Sequence, residues 1–144
     1  MSTPAGTRTA LRRGPEGAQT TGWWLQRHGG RVRLLSGEND DPHSWQQQAA
    51  RFLRETFPDK GPGLAVLSRH VEIQLAVRLR HRPTNEVVHE VLVIDRVVCG
   101  RDPRTQGREY TCDTVLPFVL DEGATLTVVE HDGARVTYRG RGRR

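Results

Sequence analysis

His70 and Glu72 stand two positions apart at the head of a mostly apolar stretch, Val71–Leu79. Cys99 follows His70 by 29 positions, and Cys112 comes 13 after that. One imidazole, two thiols and a carboxylate make a donor set with a definite chemistry. Zn²⁺ takes His nitrogen and Cys sulfur in a tetrahedron, and three protein ligands leave the fourth position open for water. Such a metal acidifies that water toward neutrality, while a carboxylate outside the ligand set moves the protons. His70, Cys99 and Cys112 are therefore the candidate zinc ligands, and Glu72 the candidate general acid and base. This is the pattern of a hydrolytic zinc deaminase. The residues alone leave other readings open. The two cysteines can form one disulfide, be two indifferent buried thiols or share a metal, and His-x-Glu also describes a partly exposed polar pair.

The elements that must position these four side chains follow from pattern. Residues two apart in mid-helix point to nearly opposite sides, so His70 and Glu72 share a site only if a helix starts at His70 and presents its end. The sequence predicts that helix from Arg69 or His70 to Arg80, with Ser68 as its N-cap and an apolar, buried middle. Ahead of it, Trp23–Gln26 and Arg31–Leu35 read as a hairpin around His28-Gly29-Gly30. Ser44 caps a helix from Trp45 to Phe57, with an apolar stripe of Ala49, Phe52, Leu53 and Phe57, and Pro58 with DKGPG stops it. Residues 87–98, VVHEVLVIDRVV, form the strongest strand, too apolar for an edge, and place Cys99 at its end. After a loop, Cys112 opens a short helix ended by Gly123, with Pro117 in its first turns. The dipole and free N–H groups of that helix favour a thiolate there. TLTVVEH and RVTYRG close the chain as strands around Asp132-Gly133. The order β-β-α-α-β-α-β-β predicts an α/β fold, a mixed five-stranded sheet with helices packed on it. Its expected core is Leu75, Leu79, Val91, Leu92, Val93, Ile94, Leu116, Val119, Leu120, Leu126, Val128 and Val136.

A chain of 144 residues has room for one such core, and composition bounds the rest. Hydrophobic residues are 35% and mean hydropathy is −0.64, so part of the chain is expected to stay outside the core. Residues 1–21, rich in Gly, Thr, Ser, Pro and Arg without periodicity, read as a disordered leader, 22–140 as the domain and 141–144 as a basic tail. No apolar run reaches the roughly 18 residues of a membrane span, and the N-terminus lacks the apolar stretch of a signal peptide. Arg and Lys number 22 against 17 acids, for a net charge of +5, and Lys60 is the sole lysine. That balance permits a polyanionic partner, though arginine-biased codon usage with solvated tails accounts for it as well.

Longer stretches carry a resemblance. HVEIQLAVRLR, then VLVIDRVVCG, then CDTVLPFVLDEGATLTVVEHDGARVTYRG resemble the DddA-like cytosine deaminase domains of bacterial polymorphic toxins, within the cytidine-deaminase-like superfamily. The similarity covers about residues 22 to 140. Its most distinctive part is Cys-Asp-x-x-Leu-Pro-x-x-Leu with the Gly-Ala-x-Leu-Thr-Val, Asp-Gly and Tyr-x-Gly that follow; Leu35-Ser36-Gly37 resembles the Ser-Gly turn of these domains. The resemblance implies a three-layer sandwich and hydrolytic conversion of cytosine in DNA to uracil and ammonia, with Glu72 passing a proton to N3 and then to the departing amine. Within it, His70, Cys99 and Cys112 match the zinc ligands and Glu72 the glutamate. The Val71 N–H would hold the 2-carbonyl of the base, and Asp95 would face the nucleotide. It further implies a toxin domain exported to act in a recipient cytoplasm, a cognate immunity protein and no membrane partner.

The chain departs from the family pattern in informative places. Val98 stands where proline precedes the first cysteine, and twelve residues separate the cysteines. Lengthening such a loop costs only a fraction of a kcal/mol per doubling. The insertion places Arg101, Arg104, Arg108 and Tyr110 beside the expected pocket, as candidate contacts to the DNA backbone or the neighbouring base. Ile73 follows the glutamate where glycine is usual, and Asp95 stands where asparagine is common. Val71, Asp95, Val98, Arg108 and Tyr110 complete the expected substrate contacts. Double-stranded DNA is the favoured substrate, with single-stranded DNA or RNA as alternatives, and a non-catalytic arginine-rich nucleic-acid-binding module is the rival class. Trp23, Trp24 and Trp45 read as packing residues before base-stacking or wedge residues. His43, His81, His89 and His131 match no ligand spacing.

Overall fold

A computed structural model describes residues 19–81 and 86–141; the leader through residue 18 and the tail beyond 141 lie outside the described residues. Five strands form one sheet in the order β2-β1-β3-β4-β5: β1 Thr21–Leu25, β2 Arg31–Leu35, β3 His89–Ile94, β4 Thr125–Val129 and β5 Arg135–Arg139. All neighbours are antiparallel except β3 and β4, which run parallel. A parallel pair needs a crossover, and the connection from β3 to β4 carries α4, Cys112–Val119. The apolar β3 sits at the centre of the sheet, as its pattern required. Turn residues match the sequence reading, with Gly29 and Gly133 at positive φ in the two hairpins.

The remaining helices lie between β2 and β3. α1, Trp45–Thr56, starts where expected, with the Ser44 side chain accepting a hydrogen bond from the Gln47 N–H. Pro58 ends α1 without ending helical structure. A 3₁₀ turn, Pro58–Lys60, leads into the short α2, Gly61–Ala65, and then a second 3₁₀ turn, Val66–Arg69. Pro at the first position of a new helical segment costs no hydrogen bond, and Gly61 at φ +70° redirects the chain. α3 runs Val71–Arg80, so His70 is its N-cap in extended conformation, not its first helical residue. Ser68 does not cap it; its hydroxyl accepts from Gln46 Nε2 at 2.9 Å.

Pairing register shows which face each side chain takes. Gly22, Trp24, Leu92, Ile94, Leu126, Val128 and Tyr138 point toward the helices, where a Cβ on Gly22 would already meet Val71 of α3. Trp24 meets Trp45 of α1 edge-on, so α1 lies on the same face as α3, and Tyr138 places α4 there too. Among the described residues α1, α3 and α4 thus lie against one face of the mixed five-stranded sheet, the α/β arrangement that the sequence predicts. The opposite face is polar along its outer strands. β2 and β5 present Arg31, Arg33, Arg135, Thr137 and Arg139 there, exposed, and Thr127 bonds Thr137 across it. Ten of the expected core residues are buried, whereas Val91 and Val136 are half-buried toward the margins; Val71, Ile73, Val77 and Leu53 complete the core.

Candidate metal and catalytic site

Three segments meet at the N-terminal end of α3. As N-cap, His70 makes no side-chain capping bond, which leaves its imidazole for other partners. Its Nδ1 lies 3.3 Å from the Cys112 sulfur. Cys112 is the first residue of α4, behind the N-cap Thr111, whose hydroxyl and that of Thr114 form a reciprocal capping box. The Cys112 N–H in turn points at the Cys99 sulfur, 3.4 Å away. Donor atoms of His70, Cys99 and Cys112 all lie within 4.8 Å of one another. In a tetrahedron of Zn–S about 2.3 Å and Zn–N about 2.0 Å, donors stand about 3.5–3.8 Å apart, so the three fit around one such ion with little adjustment.

Cys99 is not at a strand end. β3 stops at Ile94, and the cysteine sits five residues on, in a turn that Arg101 N–H closes onto Val98 C=O at 2.9 Å. Gly100 lets that turn dock on α4. It has φ +102°, and a Cβ there would come within 2.5 Å of Thr111 Oγ1 and 2.9 Å of Asp113 Cβ. The Asp113 N–H donates to Cys99 C=O at 3.0 Å across the same contact. Glycine is required at this position on both counts.

Electrostatics sort the four groups. The Cys99 thiol is lowered to about 4 by its hydrogen bond with Cys112, against burial, with His70 adding to the fall. Burial drives Cys112 well above the ordinary thiol range, and Cys99 reinforces it. The pair therefore gives up one proton readily and resists the second; a bound cation supplies the charge that a second thiolate needs. Glu72 is 4% exposed and its carboxyl is pushed up by burial, with the His70 charge opposing. Burial lowers His70, but its bond to Cys99 and the charges of Glu72 and Cys99 outweigh that and raise it. A buried carboxyl held above the ordinary carboxylate range suits general acid–base work.

A cleft of about 320 Å³ opens onto this cluster, lined by Glu72, His70 and Cys99 and, on its walls, by Arg69, Arg96 and Arg104 with Ser36 and Gly37. The remaining expected contacts are placed otherwise. Asp95 is buried and its Oδ1 accepts the Thr21 N–H at 2.9 Å, which anchors the start of β1. Val98 is buried and gives its N–H to Glu130 at 2.8 Å. Val71 is fully buried. Tyr110 is half-buried, its ring 3.6 Å from where a Gly63 Cβ would stand. None of Val71, Asp95, Val98, Arg108 and Tyr110 lines the cleft, although the Arg108 charge is felt at His70. Arg101 spends its guanidinium on Glu130. Trp45 packs between Trp24 and Arg78, and Arg31 covers Trp23. Residues that pattern alone did not nominate include Gly100, Glu130 and the cleft arginine Arg69. The one hint of Glu130 was a carboxylate directly after an apolar strand.

Comparison with known families adds one finding: the family model described as SCP1.201-like deaminase matches residues 2–144. The chain belongs to the SCP1.201-like deaminase family. A search of curated proteins found no match. The match covers the α/β fold and the His-Cys-Cys cluster together, so the cleft above is the deaminase's candidate active site. No helix among the described residues is long and apolar enough to cross a membrane.

Proposed function

We propose that this deaminase is zinc-dependent and converts cytosine to uracil in DNA, with duplex DNA favoured, as the toxin domain of an interbacterial system. The observation that carries the reading is a His-Cys-Cys donor set within 4.8 Å, beside a buried glutamate on one cleft, in a chain of a deaminase family. His70, Cys99 and Cys112 would hold the ion. Zinc in that position supplies an activated water at neutral pH.

The chain's own residues do the rest. Glu72 lies two positions from His70 and lines the cleft. It takes a proton from the attacking water and places it on N3 of the base; a second transfer puts a proton on the departing 4-amino group. Water adds at C4, the C4–N bond breaks, ammonia leaves, and the base stays in the strand as uracil. Burial favours this role because it raises the carboxyl toward working pH, where both transfers are cheap. Arg69, Arg96 and Arg104 on the cleft walls support a phosphate-bearing substrate over a free base. The resemblance to polymorphic-toxin domains supports the toxin role and an immunity protein as partner.

Two measurements test the proposal. Purified chain should carry about one zinc, and Cys99→Ala or Cys112→Ala should lose it. Incubation with duplex DNA, single-stranded DNA and RNA, followed by uracil excision and strand cleavage for the DNA, should reveal uracil at cytosines of the duplex. Zinc-loaded protein that forms no uracil in either DNA form would sink the DNA assignment. Protein with no zinc and a Cys99–Cys112 disulfide would remove the mechanism.

A further inference from the structure

Outside the cleft the least expected buried charge is Glu130, the residue after β4, at 2% exposure. Its backbone is pinned in the tight turn to β5: its N–H donates to Ala134 C=O at 2.8 Å and its C=O accepts from Gly133 N–H at 2.9 Å. The carboxylate points back toward the turn that follows β3. Oε2 accepts the Val98 N–H at 2.8 Å and Arg101 Nε at 2.9 Å, while Oε1 accepts Arg101 Nη2 at 3.3 Å. Val98 and Arg101 are the first and last residues of the four-residue turn that carries Cys99 and Gly100. One rigid carboxylate therefore holds both ends of that turn.

A buried carboxylate is costly unless it is paired, and deleting its partner leaves an uncompensated charge. Here both of its partners bracket Cys99 and neither is a ligand. Cys99 lies five residues beyond its strand, with twelve residues between it and Cys112, so neither β3 nor α4 alone determines where its sulfur stands. We propose that Glu130 is a positioning residue for the metal site: through Val98 and Arg101 it fixes the turn that delivers the Cys99 sulfur. The proposal rests on the zinc reading above. Outer groups that orient metal ligands commonly change metal affinity about 10–100-fold when removed.

The experiment measures Zn²⁺ affinity by competition with a chromophoric chelator, and the visible spectrum of the Co²⁺-loaded chain, for wild type, Glu130→Gln, Glu130→Leu and Arg101→Leu. Glu130→Gln keeps an acceptor for Val98 N–H and loses the charge, whereas Glu130→Leu loses both. Expected are losses of Zn²⁺ affinity of about 10-fold for Gln and toward about 100-fold for Leu. The Co²⁺ bands should shift with thiolate ligation retained. Arg101→Leu tests the clamp from its solvent-facing side should the glutamate variants fail to fold, with a loss below about 10-fold. Leu53→Ala, a core cut in α1, is the stability control and should leave affinity and spectrum unchanged. Wild-type affinity and an unshifted spectrum in the variants that fold would overturn the proposal. So would an equal loss of affinity in Leu53→Ala. A wild-type chain that binds neither Zn²⁺ nor Co²⁺ would overturn the zinc reading, and this inference with it.

Discussion

The two sides of the site are built by different means. On the α3 side, His70 and Glu72 come from one segment whose geometry is local. The N-cap is extended and the helix turns immediately after it, so residues two apart face one cleft, while Val71, Ile73 and Leu75 bury the helix behind them. On the Cys99 side little is local beyond the turn's own Arg101–Val98 bond. The sulfur sits in a turn that is held by a carboxylate from the end of β4, by a glycine that admits close approach, and by a backbone bond to Asp113. A helix end carries its own scaffold in i→i−4 bonds; a loop borrows one from distant chain. The first kind of site tolerates change behind it better than the second, since its geometry survives as long as the helix does.

That contrast can be broken or sharpened by mutation. The largest effect belongs to the α3 side and is purely chemical. Glu72→Gln should lower uracil formation by about 10²–10⁴-fold, with zinc content and melting temperature close to wild type. Retained turnover would remove Glu72 from the proton path. Gly100→Ala tests the borrowed scaffold. Both the positive φ and the contact with Thr111 oppose a methyl group, so a loss of about 3 kcal/mol is expected in denaturant unfolding, with weakened zinc binding beside it. Unchanged stability would mean that the turn relaxes freely and the contrast is overdrawn. The smallest effect lies away from both sides. Ser44→Ala removes the α1 cap and should cost about 1 kcal/mol in the same unfolding experiment while zinc affinity stays as it was. A drop in affinity there would show that α1 also determines the position of α3.

What was legible in the sequence follows the same division. Ser44 as a cap, the central apolar strand, the glycines of the two hairpins and the helix opening at Cys112 are local signals of cap chemistry, hydrophobic period and turn type, and each is present. The helical turns over Pro58–Arg69 were less legible because proline and glycine mark a break but do not say whether the chain resumes helix. The polar outer face of β2 and β5 was hidden for a related reason. Exposed Arg and Thr on alternate positions of β2 and β5 signal a solvated face only once the register shows that they share it.

The sequence by itself determined which atoms were on offer: one imidazole, two sulfurs, a carboxylate, and a helix start that could present two of them together. The tertiary structure alone decided that Asp95 and Val98 would tie down backbone, that Arg101 would pair with Glu130, and where Cys99 would stand. The physical reason is range. Helix caps and periodicities are decided within a few residues, whereas a buried carboxylate chooses its partners from whatever the fold brings within about 3 Å, and for Glu130 those partners lie some thirty residues away in the chain.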